Sequence, residues 1–209
     1  MKELPTVAGG FGVALADPGH LFRTWSAKGA GKSAQRHYRC EAVAEIAALP
    51  VADLMAPDSA LFLWCTWPLI FTAEEIMTAW GFRYSGLAWV WIKHNPITDK
   101  FAFGLGLGGT RKNCEICLLA RRGSPRLLNR STRDFILAPK REHSRKPDEQ
   151  YGLIESLFPG PYVELYARQR WPKWESWGDQ LPQKGEDHGN RSLVRHDGRA
   201  SPPLGHPRG

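Results

Sequence analysis

Cysteine is scarce in this sequence: four residues, Cys40, Cys65, Cys114 and Cys117. Their placement gives no sign of an oxidising compartment, because Cys65 and Cys117 sit inside apolar runs, where a free thiol packs as a small hydrophobe. Cys114-Glu115-Ile116-Cys117 has metal-ligand spacing, but no second pair accompanies it and no histidine stands at a suitable offset, so a zinc site is not expected. Long apolar runs are missing too. None approaches the ~20 residues that a membrane-spanning helix needs. The first residues lack a basic segment followed by an apolar core and a small-residue cleavage site, so no secretory leader is expected. There is no internal repeat. These absences lead to the expectation of a soluble, cytoplasmic protein without a membrane partner.

What is present is core-forming material and positive charge. At 209 residues and 42% hydrophobic, the chain can bury one domain of ordinary size. Its net charge is +7, which favours a polyanionic partner, nucleic acid above all, over an acidic small molecule. Nine tryptophans can serve stacking on bases, although burial is their commoner use.

The apolar run Phe11–Ala16 ends on Asp17-Pro18-Gly19-His20. A buried parallel strand meets an active-site loop in this way at its carboxyl end, where open α/β sheets bind ligands. Asp, Pro and Gly are also ordinary turn residues, so these four do not decide the matter alone. Residues 21–37 are polar and glycine-rich. Their Gly-Ala-Gly-Lys-Ser string lacks the first glycine of a phosphate-binding loop, Ser26 standing in its place, and reads as a basic loop. Helical spacing of apolar residues covers Cys40–Leu49, and Pro68 opens a second helix through Trp80 with Gly81 at its end. Further strands are expected at Ala60–Thr66, Leu87–Lys93, Cys114–Ala120, Phe135–Ala138 and, last, Tyr162–Tyr166. A third helix starts within Ser144–Glu149, with Ser144 or a neighbour as cap, and presents Tyr151, Ile154, Leu157 and Phe158. The glycines of 103–109 imitate a dinucleotide fingerprint, but they precede a strand instead of following one, so a loop near the site is the better reading. Strands alternating with helices predict an α/β fold with a doubly wound, mostly parallel sheet and helices on both faces. The folded domain is placed at 1–182, and 183–209, rich in Gly, Pro, Arg and His, reads as a disordered basic tail.

Three stretches together resemble a known family. They are Ala16-Asp17-Pro18-Gly19-His20 with Arg36-His37-Tyr38; Glu142-His143-Ser144-Arg145-Lys146-Pro147-Asp148-Glu149-Gln150-Tyr151-Gly152-Leu153-Ile154-Glu155; and Val163-Glu164-Leu165-Tyr166-Ala167-Arg168 followed by Trp174-Glu175-Ser176-Trp177-Gly178-Asp179-Gln180. The chain is similar, over roughly 11–181, to the adenine-N6 methyltransferases of the MT-A70 type. The resemblance implies a Rossmann-like domain that binds S-adenosylmethionine. The family signature is Asp-Pro-Pro-Trp, and this chain has Asp-Pro-Gly-His.

The resemblance assigns roles residue by residue. Adenine's amine is a poor nucleophile, its lone pair being delocalised into the ring, so a site must hold the amine hydrogens in acceptors. Asp17 and a backbone carbonyl of Pro18 or Gly19 would supply them, and His20 would stack on the base in place of the family's Trp, with less area. For the cofactor, Lys146 would approach the methionine carboxylate, with Asp17 close by; Glu164 and Arg168 would sit near the ribose, and Asp179 and Gln180 near the ribose or adenine. Trp25, Arg36, Tyr38, Arg111 and Lys112 are the candidate nucleic-acid contacts. DNA is expected over RNA. A homodimer, or a heterodimer with a related subunit, is compatible with the resemblance. The altered signature keeps a second expectation open, a catalytically silent relative that binds nucleic acid or supports a partner.

Overall fold

The structure is a computed structural model that describes residues 3–19, 42–98, 100–102, 106–107, 110–141 and 145–181. The basic loop after Asp17 and the tail 183–209 lie outside the described residues.

One sheet of seven strands organises the chain, in the order β7-β3-β6-β2-β1-β8-β9. The strands are β1 (Phe11–Ala16), β2 (Met55–Cys65), β3 (Arg83–His94), β6 (Cys114–Arg122), β7 (Phe135–Pro139), β8 (Tyr162–Leu165) and β9 (Trp174–Trp177); β4 (Gly106–Leu107) and β5 (Thr110–Arg111) form a separate small hairpin. β1 pairs in parallel with β2 and β8, β8 with β9, and β3 with β7, whereas β6 runs antiparallel between β2 and β3. This confirms the α/β, mostly parallel architecture and corrects it in one strand. The apolar run of β6 is buried on both faces and carries no mark of its direction.

β1 is continuous and apolar because it is covered on both sides. Val13 and Leu15 join one hydrophobic layer, and Ala14 and Ala16 the other. Gly12 is required there, since a Cβ would stand 2.8 Å from the carbonyl oxygen of Pro159. One layer is closed by α1 (Val43–Ala47) and α2 (Ala73–Ala79) through Ile46, Ile76, Met77 and Trp80. The indole of Trp80 donates to the Ile46 carbonyl at 3.1 Å and ties the two helices together. The other layer is closed by α3 (Glu149–Leu157) through Tyr151 and Ile154. Burying each such large apolar side chain contributes about 1.5–3 kcal/mol. Trp64, Trp80, Trp89 and Trp91 are fully buried, so these tryptophans serve the core.

Three local expectations change. The helix from Pro68 is 3-10 over Trp67–Thr72 and α-helical only over Ala73–Ala79. The last strand is β9: β8 stops at Leu165 because Tyr166 turns to a φ of +62°, and the chain returns at Trp174 to extend the sheet. The third helix begins at Glu149 with Asp148 at its cap position, but the Asp148 side chain makes no cap bond. Among the described residues no helix is long and apolar enough to cross a membrane.

Candidate active site

The topology brings the carboxyl ends of β1, β2, β3, β7, β8 and β9 to one edge of the sheet, and the amino end of β6 to the same edge. Asp17, Thr66, His94, Lys140, Tyr166 and Gly178 therefore leave the strands side by side, with Glu115 among them. Open parallel sheets place ligand sites at this edge.

Asp17 is the centre of an ion array. The Lys146 ammonium donates to both Asp17 oxygens at 2.8 Å, lies 3.1 Å from Glu115 Oε2, and stands 5.3 Å above the ring of Trp64. Lys93 bonds the other oxygen of Glu115. Arg168 Nη2 lies 3.7 Å from Asp17 Oδ2. Two carboxylates thus share three cations in a partly buried cluster. Burial alone would raise the Glu115 carboxyl, but the ammoniums of Lys146 and Lys93 overcome it and hold the group down to about 2. Burial alone would lower Lys146; the carboxylates of Asp17 and Glu115 reverse this and keep it well above the usual lysine range. Glu115 and Lys146 therefore stay charged at neutral pH, and Lys146 orients Asp17 by a fork of two charge-assisted bonds.

Glu164 occupies the second position. It lies on β8 beside β1, is 8% exposed, and accepts a hydrogen bond from the Tyr151 hydroxyl at 2.9 Å. Burial pushes its carboxyl up, against the Tyr151 hydrogen bond and with help from Asp17, to about 7. Gln169 donates to the Tyr151 oxygen at 3.2 Å and to Asp148 at 3.1 Å. Asp148 would be raised by its burial, but Arg141, Gln169 and Arg145 hold it below its ordinary value. Its carboxylate is engaged by these partners in place of the helix cap.

A cleft lined by Asp17, Trp64, Lys146, Tyr151, Glu164, Tyr166 and Arg168 joins these groups. Four of the residues singled out from sequence therefore meet: Asp17, Lys146, Glu164 and Arg168. Pro18 is buried and Gly19 half-buried beside Asp17. Asp179 and Gln180 follow β9 on the same sheet edge, but they are exposed and do not line the cleft. Trp177, the last residue of β9 before them, meets the ring of Tyr166 edge-on at 5.6 Å. Gly178 permits this approach, as a Cβ there would fall 2.3 Å from the Ala167 carbonyl oxygen. Arg111 and Lys112 are exposed just ahead of β6, at the same edge but away from the cleft; Lys112 donates to Thr110 Oγ1 at 3.0 Å. His20, Trp25, Arg36 and Tyr38 lie outside the described residues.

Glu115, Lys93, Trp64, Tyr151 and Gln169 also belong to the site, and the sequence motifs assign none of them a role in it. Glu115 had a usable signal, a lone carboxylate inside an apolar strand that must find a cation if buried. Tyr151 read as part of an apolar helix face, and its hydroxyl left no periodic trace. Among the described residues no three His, Cys, Asp or Glu side chains gather as a metal site.

The cleft's donors suit a nucleoside that carries an amino acid. Glu164 offers a carboxylate to a ribose diol, Lys146 and Arg168 offer cations to a carboxylate, and Trp64 and Tyr166 offer aromatic walls. Residues 11–180 match the MT-A70 family. The chain is 33% identical over 181 residues to the N(6)-adenosine-methyltransferase MT-A70-like protein of Drosophila melanogaster, covering 84% of this chain and 28% of the fly protein. It is 30% identical over 156 residues to the type II methyltransferase M.MunI of Mycoplasma sp, covering 72% of this chain and 62% of M.MunI. With the human N(6)-adenosine-methyltransferase catalytic subunit METTL3 it shares 33% over 132 residues, 61% of this chain and 23% of METTL3. The chain thus spans less than two thirds of each of these relatives.

Proposed function

Because the chain belongs to the MT-A70 family, we propose that it transfers a methyl group from S-adenosylmethionine to the N6 amine of adenine in nucleic acid. The observation that carries this reading is the Asp17 carboxylate, held by Lys146 at the end of β1 in one cleft with Glu164 and Arg168.

S-adenosylmethionine, when bound, supplies an electrophilic methyl on a sulfonium. The chain's residues do the rest. Glu164, assisted by Arg168, would accept from the ribose hydroxyls, and Asp179 and Gln180, which follow β9 at the same sheet edge, would serve the ribose or adenine. Lys146, already paired with Asp17 and Glu115, would meet the methionine carboxylate as a third anion. Asp17 accepts one hydrogen of the target amine, and the carbonyl of Pro18 or Gly19 the other, so that the lone pair turns towards the methyl. Asp17 acts by position and charge more than as a strong base, because its two oxygens are already tied to Lys146. His20 would stack on the flipped base, the basic groups of Arg36, Arg111 and Lys112 would hold phosphates, and Trp25 and Tyr38 would be further contacts to the nucleic acid.

DNA is the substrate we favour, on the likeness to M.MunI, of which the chain covers the largest share among the three relatives named. One observation supports a second reading, a silent subunit: Gly19-His20 stands where the family signature has Pro-Trp. Incubation of unmethylated DNA and RNA with isotope-labelled S-adenosylmethionine, followed by nucleoside mass spectrometry, decides between them. Labelled N6-methyladenine in DNA supports the enzyme acting on DNA. Label in RNA alone moves the substrate, and no label with retained cofactor binding supports the silent reading.

A further inference from the structure

We propose that Tyr151 and Gln169 are positioning residues that hold the Glu164 carboxylate ionised and aimed for a cofactor's ribose. This rests on the cofactor site proposed above.

Glu164 is a buried acid. A carboxylate that is 8% exposed needs hydrogen-bond donors, and among the described residues the Tyr151 hydroxyl supplies one, to Oε2. A phenol has a single proton. Once that proton is committed to Glu164, the phenol oxygen is left as an acceptor, and Gln169 Nε2 fills that place at 3.2 Å. The amide of Gln169 is itself fixed by its bond to Asp148, which Arg141 and Arg145 engage at 2.6 and 3.3 Å. The relay Asp148–Gln169–Tyr151–Glu164 therefore has one direction of donation along its last two links. The Tyr151 ring cannot swing, being stacked on Trp171 at 4.2 Å and met edge-on by Trp174 at 5.3 Å.

The consequence is electrostatic. Among the described residues, the titratable and charged groups around Glu164 are Asp17 at the end of β1, Asp148 at the cap position of α3, Tyr151 on α3 and Arg168 after β8, with Arg145 and Lys146 lining the same cleft; across the sheet Ser176 of β9 is its register partner. Asp17 and Asp148 favour the protonated acid, while Arg168 and the Tyr151 hydroxyl favour the carboxylate. A protonated Glu164 has one less acceptor for a diol, so the relay sets the pH below which ribose is held poorly.

Tyr151→Phe tests this because it deletes the hydroxyl and keeps the ring. The probe is S-adenosylhomocysteine, measured by calorimetry from pH 6 to 9.5 on wild type and variant. The ratio of variant to wild-type Kd is expected to be about tenfold at the acid end and to fall towards one at the alkaline end, as for an ionisation midpoint raised by about one unit. Gln169→Leu, which leaves both rings in place, is expected to move the midpoint the same way by less. A Kd ratio that stays flat with pH, in either size, overturns the proposal, because a merely structural defect has no reason to follow the ionisation of Glu164. If wild type itself binds no S-adenosylhomocysteine at any pH, the cofactor site and this proposal fall together.

Discussion

Replacing Lys146 by methionine should destabilise the fold by roughly 3 kcal/mol at pH 7, since loss of one partner strands buried charge and costs about 3–5 kcal/mol in such pairs. The structure gives an independent check on that size. Glu115 is held at about 2 against an ordinary 4.5, by Lys146 and Lys93 acting against burial. That difference corresponds to stability on the order of 3 kcal/mol from Glu115 alone, shared between the two lysines. The sign follows from the lowered folded value. The contribution is complete above about pH 5 and is lost as the pH falls towards 2. The variant's deficit should therefore be largest at neutral pH and shrink between pH 5 and 3, as Glu115 takes up a proton that Lys146 no longer opposes. Urea unfolding followed by tryptophan fluorescence reads this directly, with a lower midpoint and an unchanged slope. A deficit under 1 kcal/mol at pH 7, or one of equal size at pH 7 and pH 3.5, would refute the reasoning.

Other outcomes follow from the same geometry. Glu164→Ala should weaken S-adenosylmethionine binding by roughly 1–3 kcal/mol, the range for a lost charge-assisted bond, and calorimetry at pH 8 reads it. Gly178→Ala should lower the melting temperature, at a cost of about 1–3 kcal/mol for forcing apart backbones that leave a Cβ 2.3 Å from the Ala167 oxygen. Alanine at both Arg111 and Lys112 should weaken DNA binding evenly across sequences and lower the salt slope by about one for each phosphate no longer neutralised, measured by fluorescence anisotropy in a salt series.

Much of this arrangement could be read from the sequence, and the reasons for the rest are physical. Asp17 was legible because an apolar run ended abruptly on a carboxylate, a mark that an ordinary turn also leaves and that only the later motifs made specific. Glu164 and Arg168 were legible through a motif on one short strand and its exit. The ion pair of Lys146 with Asp17 was not, because it joins residues 129 positions apart and depends on where two strands end. Glu115 stayed hidden for a related reason. Its strand, β6, enters the site edge from the opposite direction, and an apolar run does not declare its direction. β9 was too short to show a period, and only the turn at Tyr166 frees the chain to return and pair. The role of Tyr151 rests on one oxygen atom, and hydrophobic spacing places the ring without saying what that oxygen meets.

The central claim is that Asp17 holds the target amine at this cleft. Its most direct measurement is single-turnover methyl transfer to unmethylated DNA by wild type and Asp17→Asn, with cofactor affinity determined on the same preparations. Wild type should form N6-methyladenine, and the variant should lose transfer by about a hundredfold or more, as for removal of a preorganised electrostatic group, with a much smaller change in cofactor affinity. Transfer within a few-fold of wild type would contradict the claim and leave Asp17 as the last residue of a turn.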